Sequence, residues 1–389
     1  MIQHMFRIVK MPFDSVQKIA KDILPIGTKN YILESHIYNM YAENYLRFKV
    51  LTCKLENKFN IIPPDMEVHW ISTYNCNFHC RHCEAGAGDK HVSELTTEEI
   101  CSLITEISNM NIKIFSIGGG ECLTRKDIFV IIDHILKSGM EYEIETNSYL
   151  VSNFKEEFRK LKPNVYFTSI DGLEETNDRI RKKGSFIRTL QALEFFKSID
   201  VKNRVVNTVV MPENISQLTE LREIIMNSAA TFWRFAIPIS SGRAKDDDKF
   251  SLNNDQIKYL FDFIQESRDK FQFPTGISED AGYLGSLSMK LRSVPFFCGA
   301  GLTRCTILPS GEVLGCQLDY DERYSEGNIR NKSFKEIWRA GFSRFRNSQC
   351  EKEECLKCKH FNSCQGGCLG MRLGNRHCYK DIWEGSSKA

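Results

Sequence analysis

Three thiols crowd one short stretch, Cys76-Asn-Phe-His-Cys80-Arg-His-Cys83, with C-x3-C-x2-C spacing. In a chain with this many cysteines, such a triplet arises by accident only about 0.02 times per chain. Three thiolates on one tight loop hold three corners of a [4Fe–4S] cube, and the fourth iron then needs a ligand from elsewhere. Zinc is the alternative metal. A structural zinc site closes with four protein ligands, and His79 or His82 would supply the fourth. A second set of cysteines follows: Cys298 and Cys316 with Gly311 between them, then Cys355, Cys358, Cys364 and Cys368, then Cys378. Cys305 is an additional thiol in that region. Eight thiolates suffice for two fully ligated [4Fe–4S] clusters. A pair of zinc sites is the other reading, because C-x2-C serves both metals.

The rest of the composition limits the alternatives. A length of 389 residues suggests two or three compact units. Hydrophobic residues make up 42% and charged residues 26%, a globular balance that argues against disorder. The net charge of +2 gives no support to a nucleic-acid footprint. No run of 18 apolar residues is present, so no membrane-spanning helix is expected. The opening MIQHMFRIVKMPF is interrupted by His4, Arg7 and Lys10 and does not read as a secretion signal. A cytoplasmic location is therefore expected, where 15 cysteines are poor candidates for disulfides. Twelve of them lie at 76–83 or 298–378 and none between 123 and 297, a gap unsuited to a disulfide scaffold.

Elements must bring these thiols into position. Residues 1–65 read as a mostly helical extension, with mixed periodicity at Ser15–Leu24 and Tyr38–Leu55 and a break at Pro63-Pro64. From 66 to 245 strand-like and helical runs alternate. Strands are expected at Glu67–Tyr74, Ile112–Gly118, Glu141–Asn147, Asn164–Asp171, Arg204–Met211 and Phe232–Ile239. Helices are expected at Thr97–Met110, Asp127–Ser138, Ser152–Lys160, Arg188–Ile199 and Ile215–Asn227, the first opened by a Thr96/Glu99 capping box. Six such alternations predict an α/β fold, a partial (β/α)6 TIM-like barrel with its site at the C-terminal strand ends. Residues 246–295 read as a charged linker with one helix, Asp255–Phe271. Residues 296–379 form a small Cys-rich domain of the kind metals staple together. It has a hairpin at Thr303–Leu318, turning at Pro309-Ser310-Gly311, and a helix at Ser333–Gly341. The tail 380–389 reads as loose.

The cysteine loop at the end of a first strand resembles the signature of the radical S-adenosylmethionine (SAM) superfamily. Other strand ends fit the resemblance in order. Gly118-Gly119-Gly120-Glu121 is similar to that family's GGE motif, with Cys122 where the family usually has proline. Asn147 closes the third strand as in its TN motif. Ser169, Asp171 and Arg181 follow at and after the fourth strand, and Asn207 lies on the fifth; the resemblance implies that these residues and Asn147 bind SAM. The resemblance implies that SAM chelates the open iron of a [4Fe–4S] cluster on Cys76, Cys80 and Cys83. It implies reductive cleavage to a 5′-deoxyadenosyl radical, which takes a hydrogen atom from substrate. The glycines would let backbone approach the ligand, Glu121 would accept from an ammonium group, and His82 would flank adenine.

The later cysteines resemble the SPASM domain that follows many radical SAM cores. That likeness implies one auxiliary [4Fe–4S] cluster on Cys298, Cys305, Cys316 and Cys368, and another on Cys355, Cys358, Cys364 and Cys378. Such clusters accept the electron left by hydrogen abstraction. The implied enzyme is an oxidoreductase served by a flavodoxin- or ferredoxin-type electron donor. The first substrate reading is oxidative modification of a peptide or protein side chain. The second is oxidation of a small molecule such as an aminosugar or a tetrapyrrole precursor, and a third is a non-catalytic zinc-binding protein. Gln317 stands where sulfatase-maturating relatives place a basic Asp, which counts against formylglycine formation; Asp319 is a displaced substitute. Arg243 lies in Trp233–Ala244, which resembles a segment common in peptide-modifying and cofactor-maturing members. It could bind a substrate carboxylate or pair on the surface, and the surface is preferred. Cys53, Cys101, Cys122 (otherwise a redox or hydrogen-donor thiol) and Cys350 (otherwise a spare ligand) are read as packing or loop cysteines.

Overall fold

The computed structural model describes residues 51–385 except 54, 56–58, 60, 64, 246, 294–295, 317–321, 347–352, 369–370 and 372–377. Most of the helical extension, Gln317, Asp319 and Cys350 lie outside the described residues.

All six expected strands form. They are β1 (Glu67–Ile71), β2 (Ile114–Gly118), β3 (Glu141–Glu145), β4 (Val165–Ser169), β5 (Asn203–Val209) and β6 (Phe232–Ala236). Each is shorter than its apolar run, because the polar strand ends turn into loops. Adjacent strands pair in parallel from β1 through β6. Helices α1 (Thr97–Asn109), α2 (Ile128–Lys137), α3 (Lys155–Lys160), α4 (Glu174–Ile180), α5 (Ser185–Ser198) and α6 (Leu218–Asn227) connect them. Thr96 and Glu99 form the reciprocal capping box, each side chain receiving the other residue's backbone N–H. α4 escaped the sequence reading: seven residues with charges on most positions carry little periodic signal.

Alternation along the strands divides the molecule. Val68, Trp70, Phe115, Ile117, Tyr142, Ile144, Trp233 and Phe235 point to the helices and join one apolar core. Full burial of each stabilises the fold by about 1.5–3 kcal/mol. The opposite parity is mixed, apolar at Phe167, Val205 and Val209 and polar elsewhere. His69, Ser116, Glu143, Glu145, Ser169, Asn207 and Arg234 face the inside of the curved sheet. A closed barrel fills that space with branched apolar side chains; this one leaves it as a chamber of mixed lining.

Two expectations about the C-terminal half are corrected. The segment read as a linker with one helix holds that helix, α7 (Asn254–Asp269), and also an unexpected seventh parallel strand, β7 (Thr275–Ile277), paired with β6. Three residues with a central glycine give too short a pattern to read. The hairpin forms as β8 (Arg304–Ile307) and β9 (Glu312–Leu314). However, β8 also pairs in parallel with β1, and β10 (Gly327–Asn328) pairs with β9. One sheet of ten strands therefore runs β10-β9-β8-β1-β2-β3-β4-β5-β6-β7. The tail is not loose at its start either. Lys380–Gly385 is a helix whose Glu384 bonds His360 at 2.9 Å. Among the described residues no helix is long and apolar enough to cross a membrane.

Candidate active site

A chamber of about 310 Å³ opens at the C-terminal ends of the strands. Cys76, Cys80 and Cys83 line it, as do Cys298, Cys316 and Cys368. The volume suits a small cofactor or the end of a larger substrate.

The triad loop leaves β1 through Ser72–Asn75 and is held by two clamps. The first is glycine-rich. Gly120 N–H donates to Thr73 O (2.8 Å) and Glu121 N–H to Asn75 O (2.9 Å). A Cβ on Gly119 would stand 2.8 Å from Thr73 O, and one on Gly120 would stand 2.3 Å from Asn75 O. These glycines thus admit the close approach of a second backbone, that of the segment leading into Cys76. The second clamp is Arg243. Its Nε donates to Cys80 O (2.8 Å), and Nη1 donates to Ala87 O (2.8 Å) and Asp89 Oδ2 (2.6 Å). The surface-pairing reading of Arg243 is corrected: most of the side chain is covered, and it ties both ends of the cysteine loop to the segment after β6. Arg243→Gln should cost about 1.5–3 kcal/mol through lost charge-assisted bonds. The iron retained by the triad after anaerobic gel filtration should fall several-fold, whereas unchanged retention would remove the clamp.

Glu121 does not face the chamber. It is 1% exposed, and its oxygens accept from Thr146 Oγ1 (2.7 Å), Asn147 N (2.8 Å) and Leu123 N (3.1 Å). The carboxylate expected to meet an ammonium group instead welds the end of β2 to the end of β3. Asn147 is thereby aimed inward, with Nδ2 donating to Asn77 Oδ1 (2.7 Å). Cys122 is fully buried beneath this joint, as a packing cysteine should be.

Asp171 is likewise a support and not a lining residue. It is fully buried and accepts from Val209 N (2.8 Å) and Arg181 Nε (2.5 Å). Its Oδ2 also lies 3.3 Å from His82 Nε2. Burial works against the charge of Arg181, and Asp171 and the Cys80 thiol outweigh it. Burial, against the pull of Asp171, holds His82 down at about 4, so the ring is neutral at pH 7. His82 Nδ1 is buried without a partner. Of the expected SAM-binding residues, His82, Gly119, Gly120, Asn147, Ser169, Arg181 and Asn207 line the chamber. Gly118, Glu121 and Asp171 stand behind it.

The donor set fits an iron–sulfur cluster. Burial first, and then the nearby Glu121, Cys80 and Cys83, push Cys76 up to about 12. Burial also raises Cys80, and a bound cation would stabilise such thiols as thiolates. The unpartnered His82 Nδ1 at the chamber wall leaves room for a polar ligand. A second cavity holds Cys355, Cys358, Cys364 and Cys378 together. Burial and then Cys378, Cys355 and Cys358 push Cys364 up to about 12, so these four thiols face one another as the second auxiliary set requires.

The first auxiliary set is only partly assembled. Cys298, Cys316 and Cys368 reach the chamber; Cys305 does not. Arg304 occupies the inward parity of β8, so Cys305 turns to the outer face, 1% exposed within the apolar core. The expectation that Cys305 joins the other three is corrected on that parity. Cys305→Ala should retain its full iron complement at a stability cost of about 1–2 kcal/mol. Loss of roughly four irons per chain would restore it as a ligand.

Sequence reasoning gave no role to Gly242, Arg234 or Lys182, whose Nζ donates to Asn77 O (2.8 Å). Strand parity with Asn207 would have found Arg234. The other two act across large sequence separations that no local pattern records.

Comparison with known proteins agrees with this geometry. Residues 70–225 match the model of the radical SAM superfamily, and residues 298–359 match that of an iron–sulfur cluster-binding domain, SPASM. The mycofactocin maturase MftC of Mycolicibacterium smegmatis is 29% identical over 318 residues, covering 78% of this chain and 78% of that protein. An AdoMet-dependent heme synthase of Methanosarcina barkeri is 26% identical, covering 77% of this chain and 90% of that protein. Among solved structures, Streptococcus suis SuiB bound to its precursor peptide SuiA superposes with TM-score 0.66 at 17% identity, covering 82% of this chain and 75% of SuiB. The AdoMet-bound structure of anSMEcpe gives 0.66 at 19%, covering 83% and 96%. The last two likenesses are of fold.

Proposed function

Because the chain belongs to the radical SAM superfamily and carries a SPASM iron–sulfur cluster-binding domain, we propose that it oxidatively modifies a side chain of a peptide or protein. The single observation behind this reading is a shared chamber. Cys76, Cys80 and Cys83 open into the same space as Cys298, Cys316 and Cys368. A substrate in that space would lie among the residues that would hold the SAM-binding cluster and those that would hold an auxiliary one.

Cys76, Cys80 and Cys83 would hold the [4Fe–4S] cluster that binds SAM. Cys298, Cys316 and Cys368 would hold one auxiliary cluster, and Cys355, Cys358, Cys364 and Cys378 the other. Once bound, these groups supply a 5′-deoxyadenosyl radical and an electron sink. The chain's own residues do the positioning. Asn147, Ser169, Arg181 and Asn207 offer hydrogen-bonding groups along the strand ends. Asp171 fixes Arg181 and His82 from behind, and Glu121 fixes Asn147. Neutral His82 presents a flat ring face at the wall. The triad loop and the SPASM segment both line the chamber and would limit the access of bulk water.

The peptide reading draws on the likeness to MftC, named as a maturase. Oxidation of a small molecule is the second reading, favoured by the likeness to an AdoMet-dependent heme synthase. We place the enzyme in the cytoplasm, with a flavodoxin- or ferredoxin-type donor reducing the cluster. The test is anaerobic reconstitution, dithionite reduction and addition of SAM. It should yield 5′-deoxyadenosine. With a short peptide encoded beside the gene, the product should be two hydrogens lighter by mass spectrometry. Absence of 5′-deoxyadenosine from protein that has bound iron and sulfide would overturn the radical SAM reading. Its formation without any peptide product, alongside turnover of a small molecule, would select the second.

A further inference from the structure

Among the described residues, Arg234 in the barrel interior makes no ion pair within 4 Å, and Glu143, Glu279 and Asp280 feel its charge only at longer range. Register places Ser169, Asn207 and Arg234 side by side on β4, β5 and β6. Arg234 thus extends the row of proposed SAM-contacting residues one strand further. Its guanidinium is fixed in two ways. Nε donates to Asn207 Oδ1 (2.8 Å), and its central carbon stands 5.1 Å from the centroid of the Phe167 ring. Asn207 in turn reaches Glu145 Oε1 through Nδ2 (3.5 Å). Both terminal nitrogens of Arg234 are left over. Among the described residues no carboxylate oxygen comes within 4 Å of them and no carbonyl accepts from them.

The other covered arginines contrast with this. Arg181 bonds Asp171, Arg125 bonds Asp127, and Arg222 bonds Glu266. Arg292 donates to Gly282 O and Ser278 O. Even Arg304, inside the same chamber, has Glu67 at 3.7 Å and Glu279 at 3.8 Å. A guanidinium stays charged at any physiological pH, and its terminal N–H groups form a planar fork that matches a carboxylate with two parallel bonds. Arg234 lines the chamber, is anchored through Nε, and its terminal fork has no hydrogen-bond acceptor among the described residues.

We propose that Arg234 is a substrate-positioning residue that seats a carboxylate of the substrate inside the barrel. The seat lies two residues before the end of β6, so about 7 Å below the strand ends where the triad loop stands. A substrate anchored there by its carboxylate directs a carbon a few bonds away towards the proposed radical source. The required chemistry is a carboxylate at or near the reacting unit, from a chain terminus or from an alkyl acid. The inference rests on the radical SAM reading for the identity of the chamber.

Arginine labelling tests it. The reconstituted holoenzyme is treated anaerobically with phenylglyoxal, which condenses with unpaired guanidinium groups, and labelling at Arg234 is followed by peptide mass mapping. Arg234 should label readily without ligand. N-acetylglycine, a mimic of a chain terminus, or propionate, a mimic of an alkyl acid, should slow labelling about tenfold at ten times its Kd. Protection by the first alone marks a terminal carboxylate, and protection by the second marks an alkyl acid. N-acetylglycinamide and propionamide should not protect. Three results would overturn the proposal: no labelling of Arg234 in the free holoenzyme, equal protection by the amides, or protection by SAM alone, which would assign the fork to the cofactor. The 5′-deoxyadenosine assay on the unlabelled enzyme reports separately on the radical SAM reading, so either can fail without the other.

Discussion

Replacing Cys80 by alanine is expected to abolish 5′-deoxyadenosine formation while about two thirds of the iron stays bound. Cys80 is the central thiol of the triad, and Asp171 and Arg181 lie close enough to influence its ionisation. A cube held by two thiolates is labile, and the triad is where SAM would attach to iron in the proposed function. Cys355, Cys358, Cys364 and Cys378 share a separate cavity and should be unaffected. Iron and sulfide analysis beside the product assay distinguishes loss of one cluster from loss of the fold. Turnover within about tenfold of the parent enzyme would remove the triad from the chemistry. A drop to near-zero iron would instead tie all the clusters to one folding event.

Gly242→Ala should be nearly as damaging, although no chemistry resides there. Gly242 has φ +56° and lies against the last cysteine of the triad. An added Cβ would stand 2.2 Å from Cys83 O and 2.3 Å from Glu84 O. Both oxygens belong to backbone already engaged: Cys83 O accepts from Arg243 N (3.0 Å), and Glu84 O accepts from Ser241 Oγ (2.9 Å). Neither can yield without moving the loop. The expected cost is about 3 kcal/mol or more, the sum of left-handed strain and a displaced contact. Thermal unfolding and iron retention should both register it. Gly88→Ala is the control. It sits on the same loop with φ +93°, but its Cβ would meet nothing within 4 Å. That change should cost only about 1 kcal/mol of backbone strain and leave the iron in place. Equal effects at the two positions would refute the packing argument.

The part of this site written in the sequence is the part carried by spacing and parity. Cys76, Cys80 and Cys83 announce a cluster because three ligands fall within eight residues. The six strands were legible because Val, Ile, Phe and Tyr alternate with polar residues, and their order alone brought Asn147, Ser169 and Asn207 to one end of the sheet. Local pattern could not say which way a carboxylate turns. Glu121 was assigned to a ligand and is spent on the TN turn; Asp171 was assigned likewise and stands behind Arg181 and His82. Both outcomes depend on donors 10 to 38 residues away. Arg243 acts across more than 150 residues, so its role as a clamp emerges only in the folded chain. Cys305 was misread for a simpler reason: parity on β8, once the strand is recognised, gives the chamber to Arg304.

The pairing of β8 with β1 bears on whether the two halves of the chain are separable. Val68 opposes Cys305 and Trp70 opposes Ile307, so the strand leading to the triad is an interior strand only because the cysteine-rich half lies beside it. Ending the chain ahead of β8 would expose a bare edge running straight into the reactive loop, an invitation to self-association. Nor could the cysteine-rich half be grafted elsewhere, since its leading strand would lose its neighbour. The strands from β1 to β9 therefore fold as one unit, and a cut on either side of the β1–β8 pairing should destabilise both halves.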